Sequence, residues 1–326
     1  MRKQREQKAL RHRAVLKEGG KKMLSYRRNK NAIRRTGEDY AVDGITLIFT
    51  FLIFLITVYP FYYVIIMSLN DGVDALRGGI YLWPRQFTFQ NYVQFLSDAK
   101  WINAIGVTVA KTVVGSGLTV LFTCFVAYGL SHEGLLFRKF YNIILLLCMY
   151  FSGGLIPYYL AIKAYGLLNS FWVYVIPTMF STYYCILGVS FFREIPAELK
   201  ESARLDGAGE ITIFFRIVLP LSKALLATLA LFAAVGQWNS WSDTAFFAPG
   251  NKALRTLGFL MRDVIVRNQV DTTSRQAMMQ AARHSTVTAS SVQMAAMIIA
   301  VLPIMLVYPF LQKYFVKGIM LGAVKG

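Results

Sequence analysis

Acidic, thiol and imidazole groups are all scarce in this chain. Asp and Glu number 17 against 35 Lys and Arg, with three His and three Cys in 326 residues. Cys124, Cys148 and Cys185 fall inside apolar runs, form no CxxC pair and are odd in number, which argues against a disulfide framework or a thiolate metal site. His12, His132 and His284 lie too far apart for any two to share metal-ligand spacing. No G-x-x-x-x-G-K-[ST] loop is present, so the chain has no phosphate cradle of its own, and no nucleophile motif occurs. No catalytic residue, metal or cofactor is expected in it.

Apolar residues are abundant: 56% of the chain is hydrophobic and the mean hydropathy is +0.45. A soluble domain of this length has too little interior for that much apolar surface, so lipid is needed as a second solvent. The apolar residues gather in six runs, roughly 44 to 68, 104 to 130, 140 to 163, 171 to 192, 217 to 237 and 291 to 312. Each has the length of about 20 residues that an α-helix needs to cross a bilayer. The run from Ile45 to Met67 exceeds a signal-peptide core and lacks an A-x-A-like cleavage site, so it is expected to be retained.

The net charge of +18 is concentrated rather than spread over a face, which argues against nucleic-acid binding. The first forty residues hold 14 of the 35 Lys and Arg against Glu6, Glu18, Glu38 and Asp39. A basic tail before a first membrane span is retained on the cytoplasmic side. Six spans then put both termini inside.

Within the runs, Gly153, Gly154 and Pro157 are expected to break the third span, Pro177 the fourth, and Pro303 and Pro309 the sixth. Such breaks persist where protein or a water-filled cavity satisfies the freed backbone groups, as along a permeation path or at ordinary packed kinks. The stretch Phe151-Ser152-Gly153-Gly154-Leu155 is read as one of them. Gly106, Ala110 and Gly117 offer one face of the second span for close helix packing. Lys111 is expected to snorkel toward the outer interface. Intramembrane acids, the expected sign of ion-gradient coupling, are nearly absent, Asp43 at the edge of the first span being the exception.

Between the fourth and fifth runs lies EIPAELKESARLDGAGEITIFFRIVLPLSKA, too polar and too patterned for a mere connector. Pro196 opens a short exposed helix through Leu205, Gly207 and Gly209 permit a tight turn, and a second helix runs from about Glu210 toward Pro220. Its length and patterned charge point to a protein partner, an interfacial amphipathic helix being the alternative. Glu201 and Ala203, then Asp206, Gly207 and Ala208, then Ile217, Leu219 and Pro220 stand at the spacing of the EAA motif, with Ser202 in place of its usual central alanine. In these eight positions the chain resembles the permease subunits of ABC importers. The resemblance implies an all-α polytopic fold of six transmembrane helices, the type I importer permease fold, in the bacterial cytoplasmic membrane. It further implies that the loop docks in a groove of a cytoplasmic ATPase, Glu201 offering its carboxylate to a basic residue there. ATP and Mg would be bound by two such ATPase subunits, beside a second homologous permease and an extracytoplasmic solute-binding protein.

The resemblance extends over about residues 40 to 326 and is closest to carbohydrate-uptake permeases of the oligosaccharide and aldouronate type, through YPFYYVIIMSLND from Tyr59, GQWNSWSD from Gly236 and FVKGIMLGAVKG from Phe315. The basic cytoplasmic tail at 1–40 lies outside it; the resemblance implies a first helix and outer loop at 41–103 and a permease core at 104–326 with its coupling loop at 193–216. Gln237, Trp238, Asn239 and Trp241 are candidate sugar contacts, because aromatic faces stack on C–H surfaces and amides bond hydroxyls, although tryptophans also anchor helices at interfaces. Lys252, Arg255, Arg262, Arg267, Arg275 and Arg283 make the last outer loop basic, suited to an acidic sugar, an acidic protein surface or plain solvation. An ion-gradient-driven secondary transporter and an importer of a non-sugar solute are the alternatives.

Overall fold

The computed structural model describes residues 37–270 and 287–322, so the expectations for the basic tail and for Arg275 and Arg283 fall outside the described residues. Among the described residues every regular element is helical, and the one β pairing is an isolated antiparallel bridge between Asn70 and Phe87. The chain divides into two compact units, Met1–Phe61 and Tyr62–Gly326. The first holds most of helix α1 (Gly37–Ser68), whose apolar side chains stand exposed along its length.

In the second unit, α4 (Ala99–Ser131) and α13 (Ala289–Gly322) are long and apolar enough to cross a membrane, as is α1. The three remaining expected spans are bent pairs. Helices α5 (Arg138–Tyr150) and α6 (Leu155–Ala164) meet at 113°, the 3-10 segment Phe171–Thr178 meets α7 (Thr182–Arg193) at 44°, and α9 (Glu210–Leu221) meets α10 (Lys223–Asn239) at 85°. Counting each pair as one span gives six. The first bend falls at the expected glycines, where Gly154 takes φ +81°, and Pro177 lies in the 3-10 segment.

Two expectations about breaks are corrected. Pro303 and Pro309 lie inside the continuous α13, because one missing N–H per proline is too small a defect to interrupt a long apolar helix. The unforeseen break is at Ser222, which takes φ −98° and ψ 23° and returns its hydroxyl to Val218 O at 2.7 Å. Pro220 cannot donate to the preceding turn, and the helix widens to π geometry over Phe214–Val218 just before it. The fifth span therefore begins at Lys223, and residues 217–221 belong to a helix lying across it.

The packing face of α4 also differs from expectation. Positions Gly106 and Gly117 face open space, whereas Trp101, Ala104, Thr108, Lys111, Gly115 and Thr119 are buried, a stripe at helical spacing that is largely polar. Val109, Val113, Leu121, Phe122 and Phe125 of the same helix point outward. Lipid accepts such apolar side chains, whereas buried polar groups such as Thr108, Lys111 and Thr119 must find partners in the bundle. Close approach is made by Gly188 of α7, where an added Cβ would lie 2.8 Å from the Ala127 Cβ. The core that results joins Cys124, Ala127 and Tyr128 of α4 to Cys185, Val189 and Phe192 of α7, Phe214 and Val218 of α9, and Leu229 of α10.

The loop after α1 carries α2 (Gly72–Leu76) and α3 (Gln90–Ser97). Asp71 caps α2 by accepting from the N–H groups of Val73 and Asp74 at 2.8 and 3.0 Å. Arg85 donates from Nε to Asp74 Oδ2 at 3.0 Å, and Asn91 donates to Ser68 O and Asn70 O. Burial alone would raise the Asp74 carboxyl, but bonds from Asn70 and Arg85 outweigh it and hold it below the usual carboxylate range. Gly72 is obligatory: a Cβ there would stand 2.7 Å from Ser291 Oγ and from Thr288 N.

Candidate functional site

Two regions carry the residues singled out from sequence. The first is the loop after α7. Its helix α8 (Ala197–Leu205) begins after Pro196 and ends in a Schellman motif: Ala208 N–H donates to Ala203 O at 2.9 Å and Gly207 N–H to Arg204 O at 3.0 Å. Gly207 sits at φ +82°, the left-handed conformation that glycine adopts without penalty. Asp206 is the C-cap of α8. The spacing of Ala203, Asp206, Gly207 and Ala208 is thus the spacing of one helix terminus. Ala203 and Ala208, with Ile217 and Leu219 of α9, pack against the core formed by α4, α7, α9 and α10. Small alanines let the loop lie close to the bundle.

The opposite face of the loop is open. Glu201 is exposed, Leu205 is 89% exposed and Ile211 65% exposed. A carboxylate flanked by bare aliphatic side chains at a helix end is an unusual solvent face and an ordinary docking face. At the foot of α8 a cleft of about 620 Å³ is lined by Phe191, Arg193, Glu194, Ile195, Pro196, Leu199 and Leu221. Sequence reading passed over Leu205 and Ile211, although an isolated Leu in a polar loop was the available signal. It also passed over Arg204, Glu210, Tyr128 and His132, which join the loop to the end of α4.

The second region is the C-terminal end of α10. Gln237 is buried and donates from Nε2 to Tyr174 O at 3.2 Å and to Thr178 Oγ1 at 2.7 Å, while an added Cβ at Gly115 would come within 2.8 Å of that amide nitrogen. Trp238 donates its indole N–H to Ala300 O of α13 at 3.0 Å. Asn239 is exposed at the last turn. Trp241 lies beneath Arg262 of α12 (Leu257–Val270), whose guanidinium carbon is 3.3 Å from its ring centroid. The four side chains thus diverge toward the 3-10 segment, α13, the surface and α12.

Lys111 corrects the expectation of snorkelling. Its side chain is fully buried, with Nζ donating to Ser240 O at 2.9 Å, 3.7 Å from Asp243 Oδ2 and 5.0 Å from the Tyr174 ring centroid. Ser240 Oγ in turn donates to the Asp243 carboxylate, and Tyr174 donates its hydroxyl to Leu254 O at 2.7 Å. A lysine that would otherwise carry its charge to the interface is held because a carbonyl, a carboxylate and an aromatic face surround it. Sequence gave no pointer to Asp243 as its partner, since the two lie in different elements.

Comparison with known proteins then bears on both regions. Residues 39–321 match the family model described as binding-protein-dependent transport system inner membrane component. The chain is 36% identical to Protein LplC of Bacillus subtilis (strain 168) over 271 residues, covering 83% of this chain and 90% of that protein. It is likewise 36% identical over 288 residues to the polygalacturonan/rhamnogalacturonan transport system permease protein YtcP of the same strain, covering 88% and 98%. Among solved structures it superposes with a TM-score of 0.78 and 26% identity on a chain of a bacterial ABC transporter involved in the import of the acidic polysaccharide alginate, covering 86% of this chain and 99% of that one.

Proposed function

We propose a transport role from one premise: the chain belongs to the family of binding-protein-dependent transport system inner membrane components. It is a multi-pass inner-membrane permease subunit of an ABC importer that carries sugars, with the type I permease fold, and it is not itself an enzyme. Within that role, α8 is the helix that docks on a cytoplasmic ATPase. The single observation that carries this is the two-faced loop: Ala203, Ala208, Ile217 and Leu219 turned into the bundle, Glu201 and Leu205 turned out. An exposed carboxylate paired with a basic residue of the ATPase makes a directional, charge-assisted contact able to pass on a rigid-body push.

On this reading the complete transporter pairs the chain with a second, similar permease, two ATPase subunits that hold ATP and Mg, and an extracytoplasmic binding protein. Both termini are cytoplasmic. Nucleotide binding would draw the docking helices together and rock the permeases between inward-facing and outward-facing states. The cargo is an oligosaccharide. Relatives that serve polygalacturonan or alginate, together with Arg262 held over Trp241 and with Lys252 and Arg255 in the same stretch of chain, favour one bearing carboxylates. Gln237, Trp238, Asn239 and Trp241 remain the proposed contacts of the pathway; of these Asn239 is exposed, Trp238 and Trp241 are half-buried and Gln237 is buried.

Uptake into proteoliposomes holding the assembled complex and its binding protein tests the reading. ATP-dependent accumulation of a uronate-containing oligosaccharide, competed poorly by a neutral one, is the expected result. Accumulation driven by an ion gradient without ATP would overturn the importer reading, and equal competition by the neutral sugar would remove the carboxylate.

A further inference from the structure

One carboxylate joins three elements at the inner end of the bundle. Glu210, the first residue of α9, accepts at Oε2 from the Tyr128 hydroxyl of α4 at 2.6 Å and at Oε1 from Arg204 Nε of α8 at 2.8 Å. His132, which caps α4, has Nδ1 3.0 Å from Tyr128 O and Nε2 3.2 Å from Glu210 Oε2 and 3.3 Å from Arg204 Nη2. Toward a carbonyl Nδ1 can only donate, so in the neutral ring Nε2 accepts from Arg204, and in the protonated ring it donates to Glu210. In both charge states the imidazole ties α4 to the loop.

The other attachments flank the helix. Helix α8 has no buried residue; Ile195 just before it is buried in the core, and Ala203 and Ala208 at its far end pack against that core. Lys200 donates from Nζ to Phe192 O at 3.2 Å and lies 6.0 Å from the Tyr128 ring centroid. Without Glu210, a displacement of α8 would be taken up at the Gly207 turn instead of reaching the bundle.

We propose that Glu210 is a positioning residue for transport, locking the docking helix α8 to the inner end of the second span so that the two move as one body. The inference rests on the reading of α8 as the ATPase-docking helix. Through α4 the lock reaches the buried stripe that runs past Lys111 to Trp101, so motion at the cytoplasmic face is delivered to the outer half of the same helix.

The test uses the assembled transporter in proteoliposomes, with solute uptake and ATP hydrolysis measured on one preparation, and amide exchange of residues 197–205 measured on the same complex. In E210Q, exchange over 197–205 is expected to rise about ten-fold and solute moved per ATP to fall by a similar factor, the scale of losing one charge-assisted hydrogen bond. E210D, which restores the charge, is expected to recover most of both losses. Wild-type exchange and wild-type transport per ATP in E210Q, or equal losses in E210D and E210Q, would overturn the proposal. Should E210Q fail to reach the membrane, Y128F removes one bond to the carboxylate, and wild-type behaviour of Y128F in both readouts would overturn it equally. A wild-type complex that moves solute without ATP would refute the importer reading instead, leaving the exchange result to judge the lock.

Discussion

At the scale of single residues, two positions have consequences that composition would not suggest. Gly207 holds φ +82° where α8 turns back on itself. Replacing it by alanine keeps the Schellman bonds but places a Cβ in the left-handed region, a cost of about 1 kcal/mol. We expect G207A to speed amide exchange at the end of α8 several-fold, and G207P, which also removes the N–H donated to Arg204 O, to abolish its protection. Unchanged exchange in G207P would show that the turn does not hold the helix. Lys111 is the second position. Its ammonium is enclosed by Ser240, Asp243 and Tyr174, so K111M takes the donor from the Ser240 carbonyl and the countercharge from Asp243, which keeps its bond from Ser240 Oγ. Loss of a partner from a buried ion pair costs about 3 kcal/mol or more, reduced here because Asp243 keeps some solvent. Thermal unfolding of the detergent-solubilised subunit should show K111M destabilised and the K111M/D243N pair partly restored; a double variant as weak as the sum of the singles would deny the coupling.

At the scale of elements, the loop that carries α2 and α3 joins buried polar groups around α2 to an apolar contact at α3, where Phe95 packs with Trp101 and Leu257. Asp74 has a side chain only 7% exposed and is bonded by Asn70 and Arg85. Because its carboxyl is held below the ordinary carboxylate value, its contribution is present in full above that value. It is lost as pH falls through the depressed one. Protection of residues 69–91 should therefore be flat from neutral pH down to about 4 and fall below that, while D74N should be weaker throughout and lack the acid-side fall. A wild-type loop already released at pH 6 would contradict this. The bend at Ser222 belongs to the same scale: α9 and α10 meet at 85° because a π-helical turn, a proline and a serine hydroxyl fall together. None of the three alone would predict a corner of that size.

At the scale of the whole molecule, the proposed topology puts α8 on the cytoplasmic side and Lys252 on the outer side. Single cysteines at Ser202 and Lys252, in a chain without its native thiols, should react with a membrane-impermeant maleimide from opposite faces of sealed vesicles. Labelling of both from one face would reverse the arrangement. The apolar runs made most of the fold legible from sequence, because the length that spans a bilayer and the scarcity of charge within it are properties of a contiguous segment. The docking loop was legible for a similar reason. Ala203, Asp206, Gly207 and Ala208 form one local terminus, and Gly207 must be glycine for a local conformational reason. The polar interior was not legible. The bond from Lys111 to Ser240 spans 129 positions, that from Tyr128 to Glu210 spans 82, and that from Gln237 to Thr178 spans 59.

Sequence by itself therefore determined the six apolar runs, the helical class, the absence of a phosphate cradle and the shape of the loop after α7. Each follows from hydrophobic length or from the conformational preference of neighbouring residues. Only the tertiary structure decided which face of α4 is buried, that Lys111 is sealed rather than snorkelled, that Gln237 and Trp238 bind neighbouring helices, and that Glu210 ties the loop to the bundle. In lipid every polar side chain away from water must find a partner inside the protein. Which partner it finds depends on helices brought together from distant parts of the chain, a choice that no local pattern records.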